Sequence, residues 1–276
     1  MKPARAAYLF FVYSLLIILG GVFLIPFFWM ISTSVKPESQ IFTFPPRWIP
    51  DPVLWSNYPH AIDAIPFWTY VWNTTSITLL TILGTILSSS LVAYSFARLR
   101  WPGRDFLFIL LLSTMMLPGQ VTMIPVFLLF KELGWINTIL PLVVPSFFGN
   151  AFYIFLLRQF FLTIPSDLED AARVDGCPRL LAFWHVILPL SKPALATVGV
   201  FTFMGSWNDF MGPLIYLSSE GKKTLALGLQ GFVWEHGAEW ALLMAVSTLM
   251  LLPVLIIFFF AQRYFIEGIT LTGIKG

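Results

Sequence analysis

The sequence predicts an all-α polytopic membrane protein with six transmembrane helices. Three observations carry that expectation. Of the 276 residues, 58% are apolar and only 11% are charged, whereas a soluble domain is nearer half apolar and a quarter charged. Six continuous apolar stretches, each close to the roughly 20 residues that cross a bilayer, together hold half the chain. None has the period-2 alternation of a barrel strand, so each must satisfy its backbone as a helix. The same composition excludes other classes. A single cysteine, Cys177, cannot build a disulfide scaffold. A net charge of +2 is too small for a nucleic-acid partner.

The stretches are 8–31, 74–97, 106–130, 139–157, 194–217 and 240–260. The first is longer than the core of a signal peptide and no small-residue cleavage site follows it, so it reads as a retained span. The segment after it, 32–73, holds Pro45, Pro46, Pro50 and Pro52. The residue before each proline is pushed out of the helical region, so this part reads as extended. The second stretch ends at the cluster Arg98, Arg100 and Arg104. With the N-terminus inside, the inner segments 1–7, 98–105, 158–193 and 261–276 hold 11 of the 16 Lys and Arg residues. The outer segments are slightly longer in total and hold five, which favours both termini in the cytoplasm. Trp29, Trp68, Trp72, Trp101, Trp135 and Trp240 lie near span ends, as an aromatic belt does. Pro26, Pro118, Pro125, Pro141, Pro145, Pro213 and Pro253 lie within spans. They read either as tolerated prolines or as the kinks and hinges of a moving bundle.

Several chemistries have no residues to carry them. Gly221-Lys222-Lys223-Thr224 lacks the earlier glycine and the Lys-Ser/Thr step of a phosphate loop. His60, His185 and His236 each stand alone, and Glu235-His236 does not extend to a zinc-protease pattern. Cys177 reads as a reduced, small apolar residue. No nucleophile elbow is present, and Asp209 is the one charge inside a span.

The inner segment 158–193 is the most informative. Ser166 reads as a helix cap, with Glu169 three residues on completing a capping box. Asp167, Glu169 and Asp170 suit the start of a helix dipole. Leu168, Ala171 and Ala172 share one face. Asp175-Gly176 ends that helix, because glycine accepts positive φ. Pro178 opens a second helix, with Leu180, Phe183, Trp184 and Ile187 as its apolar stripe and Leu188-Pro189 as its end. On the residues alone, the pair is either a device that fits a cleft in a soluble partner or an amphipathic hairpin lying in the headgroups of the membrane lipid.

Asp170-Ala171-Ala172-Arg173-Val174-Asp175-Gly176, followed by Phe183 and Ile187-Leu188-Pro189, resembles the EAA signature of permease subunits of binding-protein-dependent ABC importers. Asp170 replaces the signature glutamate, with Glu169 just before it, and Cys177 replaces the usual alanine. Ser34-Val35-Lys36-Pro37, Ser206-Trp207-Asn208-Asp209-Phe210 and the tail from Gln262 to Thr270, ending Gly273-Ile274-Lys275-Gly276, resemble the carbohydrate branch of that family, close to its maltose-type and glycerol-3-phosphate-type permeases.

The resemblance implies a type I ABC importer permease fold with a cytoplasmic coupling helix between spans four and five. It implies a first helix and external segment over 1–72, an ABC transmembrane type-1 domain over 73–262 and a cytoplasmic tail over 263–276. Its implied partners are a homologous permease subunit, an ABC ATPase dimer and an extracytoplasmic solute-binding protein, in the bacterial cytoplasmic (inner) membrane. It implies no cofactor in this chain, with ATP and Mg²⁺ on the ATPase, and so no enzyme activity here. Glu169, Asp170, Ala171, Ala172, Asp175 and Gly176 are the implied ATPase-coupling residues.

Gln120, Asn150, Asn208 and Asp209 interrupt apolar stretches, and a polar group facing lipid is costly. With Trp207 as a stacking platform they are candidates for a sugar path. The alternative for each is hydrogen bonding between helices. A self-contained secondary carrier would need more acids in the spans, and an integral membrane enzyme would need a catalytic cluster. The balance of basic residues makes a direct prediction. Reporter fusions after Arg104 and Lys275 are expected to read cytoplasmic and one at Lys131 external. An external signal at Lys275 rules out an even number of spans.

Overall fold

The helices of this chain follow its apolar stretches, and they break where the backbone is held out of helical geometry. A computed structural model describes residues 3–234 and 237–273, with side chains over 8–233 and 237–262. In chain order the helices are α1 (Pro3–Ser34), α2 (Asn57–Asp63), α3 (Phe67–Arg98), α4 (Arg104–Ser113), α5 (Gly119–Glu132), α6 (Leu140–Val143), α7 (Ala151–Thr163), α8 (Asp167–Val174) and α9 (Arg179–Ala182). A π turn (Phe183–Ile187) leads to α10 (Leu188–Leu190), α11 (Lys192–Trp207), α12 (Met211–Tyr216) and α13 (Leu225–Gly228). A two-stranded antiparallel hairpin, β1 (Val233–Trp234) and β2 (Gly237–Ala238), precedes α14 (Trp240–Gly273).

Four helical segments are long and apolar enough to cross a membrane: Tyr8–Ser34, Phe67–Arg98, Leu140–Thr163 and Trp240–Gln262. Two bent pairs raise the number to six if each pair is one span: Arg104–Met116 with Gly119–Glu132, bent by 98°, and Arg179–Leu190 with Lys192–Trp207, bent by 79°.

The third and fifth apolar stretches are interrupted rather than continuous helices. In the third, Leu117 adopts φ −81° and ψ 116° ahead of Pro118, the extended geometry that a following proline favours. In the fifth, the helix stops at Trp207 and restarts at Met211. The fourth turns at Gly149, whose φ of 89° suits glycine alone.

The second loop helix meets its expectations in part. Leu188-Pro189 falls in the last turn of the second loop helix as expected, since α9, the π turn and α10 run on continuously to Leu190. The break follows at Ser191. Of that helix's expected apolar stripe, Phe183 and Ile187 are buried, while Leu180 and Trp184 are exposed.

The chain divides into two compact units. One is Met1–Phe67 with Gly228–Leu252. In it α1 exposes its apolar length and buries only its end. Asn57 Nδ2 donates to the carbonyls of Ser34 and Lys36, both at 3.0 Å. The Lys36 ammonium lies 3.8 Å from the Trp29 ring centroid, a cation–π contact, and burial pushes its pKa below the usual lysine value. Glu38 Oε1 accepts from the Ala241 N–H at 2.8 Å, at the start of α14.

The other unit is Trp68–Leu227 with Pro253–Gly276. Its core gathers Tyr94 and Phe96 of α3, Phe108 of α4, Leu157 and Phe161 of α7, Phe183 and Ile187 of the π turn, and Val198 of α11.

Close approach of α3 to segment 144–148 depends on Gly84. A Cβ there would collide with Ser146 Oγ and stand 2.6 Å from Phe147 Cδ2. One turn on, Ser88 Oγ donates to the Ser146 carbonyl at 2.8 Å. Gly84→Ala is therefore expected to cost about 1–3 kcal/mol, read as a lowered thermal midpoint in detergent. Gly199→Ala, whose new Cβ would sit at an ordinary 3.6 Å from Ile86 Cδ1, is expected to leave the midpoint nearly unchanged.

Candidate functional site

One face of α3 repeats hydroxyl side chains at Thr74, Thr78, Thr81, Thr85 and Ser88. Steps of four and three residues keep them on one side of a helix. Three of them line a cavity of about 430 Å³, closed on its other sides by segment 142–153, α11 and the break before α12. That volume falls in the roughly 300–1,000 Å³ range of small-molecule sites. Ser146, Thr202, Ser206 and Thr224 add four more hydroxyls to the lining. Thr202 Oγ1 is buried with no hydrogen-bond partner in the protein. A buried hydroxyl is costly unless something bonds it, so this wall suits a polar occupant.

The cavity brings together two of the expected path residues, Asp209 and Asn150. Both also close breaks in helices. Asp209 Oδ1 accepts from the Gly212 N–H at 3.0 Å at the start of α12. Gly212 is needed there, since a Cβ would collide with the Asp209 carboxylate and stand 2.9 Å from Leu142 Cδ2. Asn150 caps α7, its Oδ1 accepting from the N–H groups of Phe152 at 3.0 Å and Tyr153 at 3.3 Å. The group it has left for the cavity is its amide nitrogen.

The other three expected residues lie elsewhere. Trp207 is buried, stacks on Phe203 at 5.3 Å, and lines a separate apolar groove with Leu79, Ile82 and Ile257. Asn208 folds back on its own helix, donating to the Met204 carbonyl at 2.9 Å. Gln120 stands exposed in the first turn of α5. The hydroxyl stripe of α3 was the signal that attention to amides and acids passed over, and its spacing is visible in the sequence.

At the Thr74 end of the cavity, α3 is lashed to loop 219–225. Asn73 Nδ2 donates to the carbonyls of Gly221 and Lys223, both at 3.0 Å. Thr74 Oγ1 accepts from the Leu225 N–H at 2.8 Å. Glu220 takes a hydrogen bond from the Tyr70 hydroxyl and pairs with Lys223 at 2.6 Å. The Lys223 ammonium, and next the Tyr70 hydroxyl, hold the Glu220 carboxyl below its usual range.

The opposite end of α3 meets segment 158–193. There α8 ends in a Schellman motif: Cys177 N–H bonds the Ala172 carbonyl and Gly176 N–H the Arg173 carbonyl, each at 2.9 Å. Gly176 has φ 79°, as its expected role as a helix breaker requires. Leu168, Ala171 and Val174 form an exposed ridge, with Val174 88% exposed. Asp170 is exposed and pairs with Arg173 at 3.1 Å, Asp175 is exposed, and Ala172 is half-buried.

The expected capping box is corrected. Ser166 is itself helical and makes no side-chain cap, and Glu169 turns inward instead. Its Oε2 lies 3.6 Å from Arg98 Nε, with both side chains nearly buried. Arg98 also donates to the Ile164 carbonyl.

Among the described residues, no three His, Cys, Asp or Glu side chains gather as a metal site. His236 and the tail residues 274–276 lie outside the described residues, and so do the side chains of 263–273.

Comparison with known proteins agrees with this geometry. Residues 86–270 match the family described as "Binding-protein-dependent transport system inner membrane component". The chain is 34% identical to the arabinooligosaccharides transport system permease protein AraQ of Halalkalibacterium halodurans, over 90% of this chain and 89% of that one. It is 32% identical to the diacetylchitobiose uptake system permease protein DasC of Streptomyces coelicolor, over 95% of each. It is also 32% identical to the sn-glycerol-3-phosphate transport system permease protein UgpE of Yersinia enterocolitica, over 94% and 95%. A crystal structure of a bacterial ABC transporter that imports the acidic polysaccharide alginate contains a chain that superposes with a TM-score of 0.84. That match has 25% identity and covers 96% of this chain and 99% of the other.

Proposed function

This chain belongs to the family of binding-protein-dependent transport system inner membrane components, and from that membership we propose how its geometry serves import. It is a multi-pass permease subunit of an ABC importer for sugars or sugar derivatives, and ATP hydrolysis lies on a separate subunit. An importer of this kind works with an ATPase and a binding protein. The permease domain of 73–262 pairs with a homologous permease, and both termini lie in the cytoplasm. ATP and Mg²⁺ act on the ATPase dimer. The binding protein delivers substrate from outside to the Thr74 end of the cavity.

The observation that carries the substrate reading is the cavity wall. Hydroxyls from α3, α11 and segment 142–153 exchange hydrogen bonds with a polyhydroxylated guest about as well as water does. Among the described residues, the only charged side chain in the lining is Asp209, with no Lys, Arg or His. A carboxylate without a facing cation repels anions. The cargo is therefore an uncharged saccharide rather than a sugar phosphate or an acidic sugar. Uptake by the intact complex should favour neutral labelled oligosaccharides over phosphorylated or uronic-acid sugars. Asp209→Asn should narrow that preference by about tenfold, the weight of roughly 1.4 kcal/mol of like-charge repulsion. Equal uptake of neutral and anionic sugars by the unaltered complex would refute this substrate reading.

The ridge of α8 docks the ATPase. Leu168, Ala171 and Val174 are small enough to enter a cleft, with Asp170 and Asp175 flanking them, and the turn at Gly176 aims the helix. A β-branched side chain at φ 79° costs roughly 1–2 kcal/mol or more. Gly176→Val is expected to misdirect α8, and Ala171→Trp to block the cleft. In both, the membrane-inserted subunit loses the ATPase in a detergent pull-down and uptake disappears. Asp170→Glu is expected to be tolerated. Normal retention and uptake in both Gly176→Val and Ala171→Trp would make this segment an interfacial hairpin without a motor partner.

A further inference from the structure

Helix α8 is attached to the rest of its unit in an unusual way. Both covalent connections are non-helical: Ile164-Pro165 is extended before it, and the Gly176 turn follows it. Of its eight residues only Glu169 is buried. That single side chain faces Arg98, the last residue of α3. The same guanidinium donates to the Ile164 carbonyl, on the strand of chain that enters α8. One turn back along α3, the Tyr94 hydroxyl donates to the Arg179 carbonyl of α9 at 3.3 Å, and its ring packs on Phe183 at 5.1 Å. The end of α3 thus holds both short helices of the loop, and its hold on α8 centres on Glu169, which faces the Arg98 guanidinium and the Tyr94 hydroxyl.

The other end of α3 is a wall of the cavity. Thr85, Thr81 and Thr74 line it, at helical distances of about 20 to 36 Å from Arg98 at 1.5 Å per residue. Of the three long helices, α1 contains Pro26 and α14 contains Pro253, whereas α3 contains no proline in 32 residues. Prolines are where helices bend, so α3 is the long helix best built to carry a displacement from end to end.

We infer that the Arg98–Glu169 pair is the joint through which movement of α8 is delivered to α3 and, along it, to the hydroxyl-lined cavity. Arg98 is in this sense a positioning residue: it lies outside the cavity lining, and its side chain is nearly buried beneath the exposed ridge of α8. The inference rests on the reading that α8 docks the ATPase. It separates docking, which belongs to the exposed ridge, from transmission, which belongs to the buried side. Arginine suits the joint because its planar fork reaches a carbonyl and a carboxylate at once, and lysine is not equivalent.

The test uses the complete importer in proteoliposomes with ATPase and binding protein. For Arg98→Lys, the expected result is full retention of the ATPase. The ratio of receptor-stimulated to basal ATP hydrolysis, and sugar uptake with it, falls about tenfold, within the range of ordinary coupling energies. A retained ATPase with unchanged stimulation and uptake overturns the inference. If Arg98→Lys does not assemble, the double variant Arg98→Met/Glu169→Leu decides, because it leaves no lone buried charge. An assembled but uncoupled double variant supports the joint. A fully coupled one, or one that again fails to assemble, overturns it. Failure of the docking reading itself would look different: Ala171→Trp would keep both ATPase and uptake.

Discussion

A helix in lipid satisfies its own backbone, so each place where a helix stops inside an apolar stretch leaves N–H and C=O groups that another partner must bind. That constraint organises the larger unit. Segment 140–163 breaks at Gly149, and Asn150 supplies the oxygen that the next helix needs. The helix ending at Trp207 breaks before Met211, and Asp209 supplies it for α12. At Ser191 the hydroxyl bonds the Ile187 carbonyl at 2.7 Å. The first two repairs then become cavity wall, because Gly149, Asn150 and Asp209 all line it. The polar chamber forms where broken helices lie against the hydroxyl face of an unbroken one.

That unbroken helix, α3, is held at both ends by side chains rather than by its connections. At one end Tyr70, Asn73 and Thr74 engage loop 219–225. At the other, Tyr94 and Arg98 engage the loop that carries α8. Most of these bonds end on backbone carbonyls, which are fixed in space by the chain itself. A rod fastened in this way ties the position of the cavity wall to the position of α8. On the functional reading proposed for them, the cavity and the ridge of α8 are linked through α3 without any residue belonging to both.

Adjacent acidic residues in α8 take opposite roles for a geometric reason. Successive residues on a helix point about 100° apart, so Glu169 can face the interior while Asp170 faces out. Asp170 is shared with Arg173 at the exposed surface, and Glu169 meets Arg98 inside. A buried charge is tolerated only with a partner, which is why α8 keeps a fixed orientation despite burying almost nothing else.

Composition and hydropathy alone determined that this is a helical membrane protein, because a run of some 20 apolar residues has few other stable fates. Local chemistry also determined the turn at Gly176 and the exposure of Ala171, since glycine's freedom and helical spacing act within a few residues. Tertiary structure decided the rest. It decided that Glu169 abandons Ser166 for Arg98, that Trp207 packs on Phe203 in an apolar groove, and that Thr74, Thr81 and Thr85 share a chamber with Asp209. Each of these outcomes depends on which groups from distant parts of the chain are buried together. A buried guanidinium or a close-packed glycine outweighs a local preference of about 1 kcal/mol, and no window of sequence contains both partners.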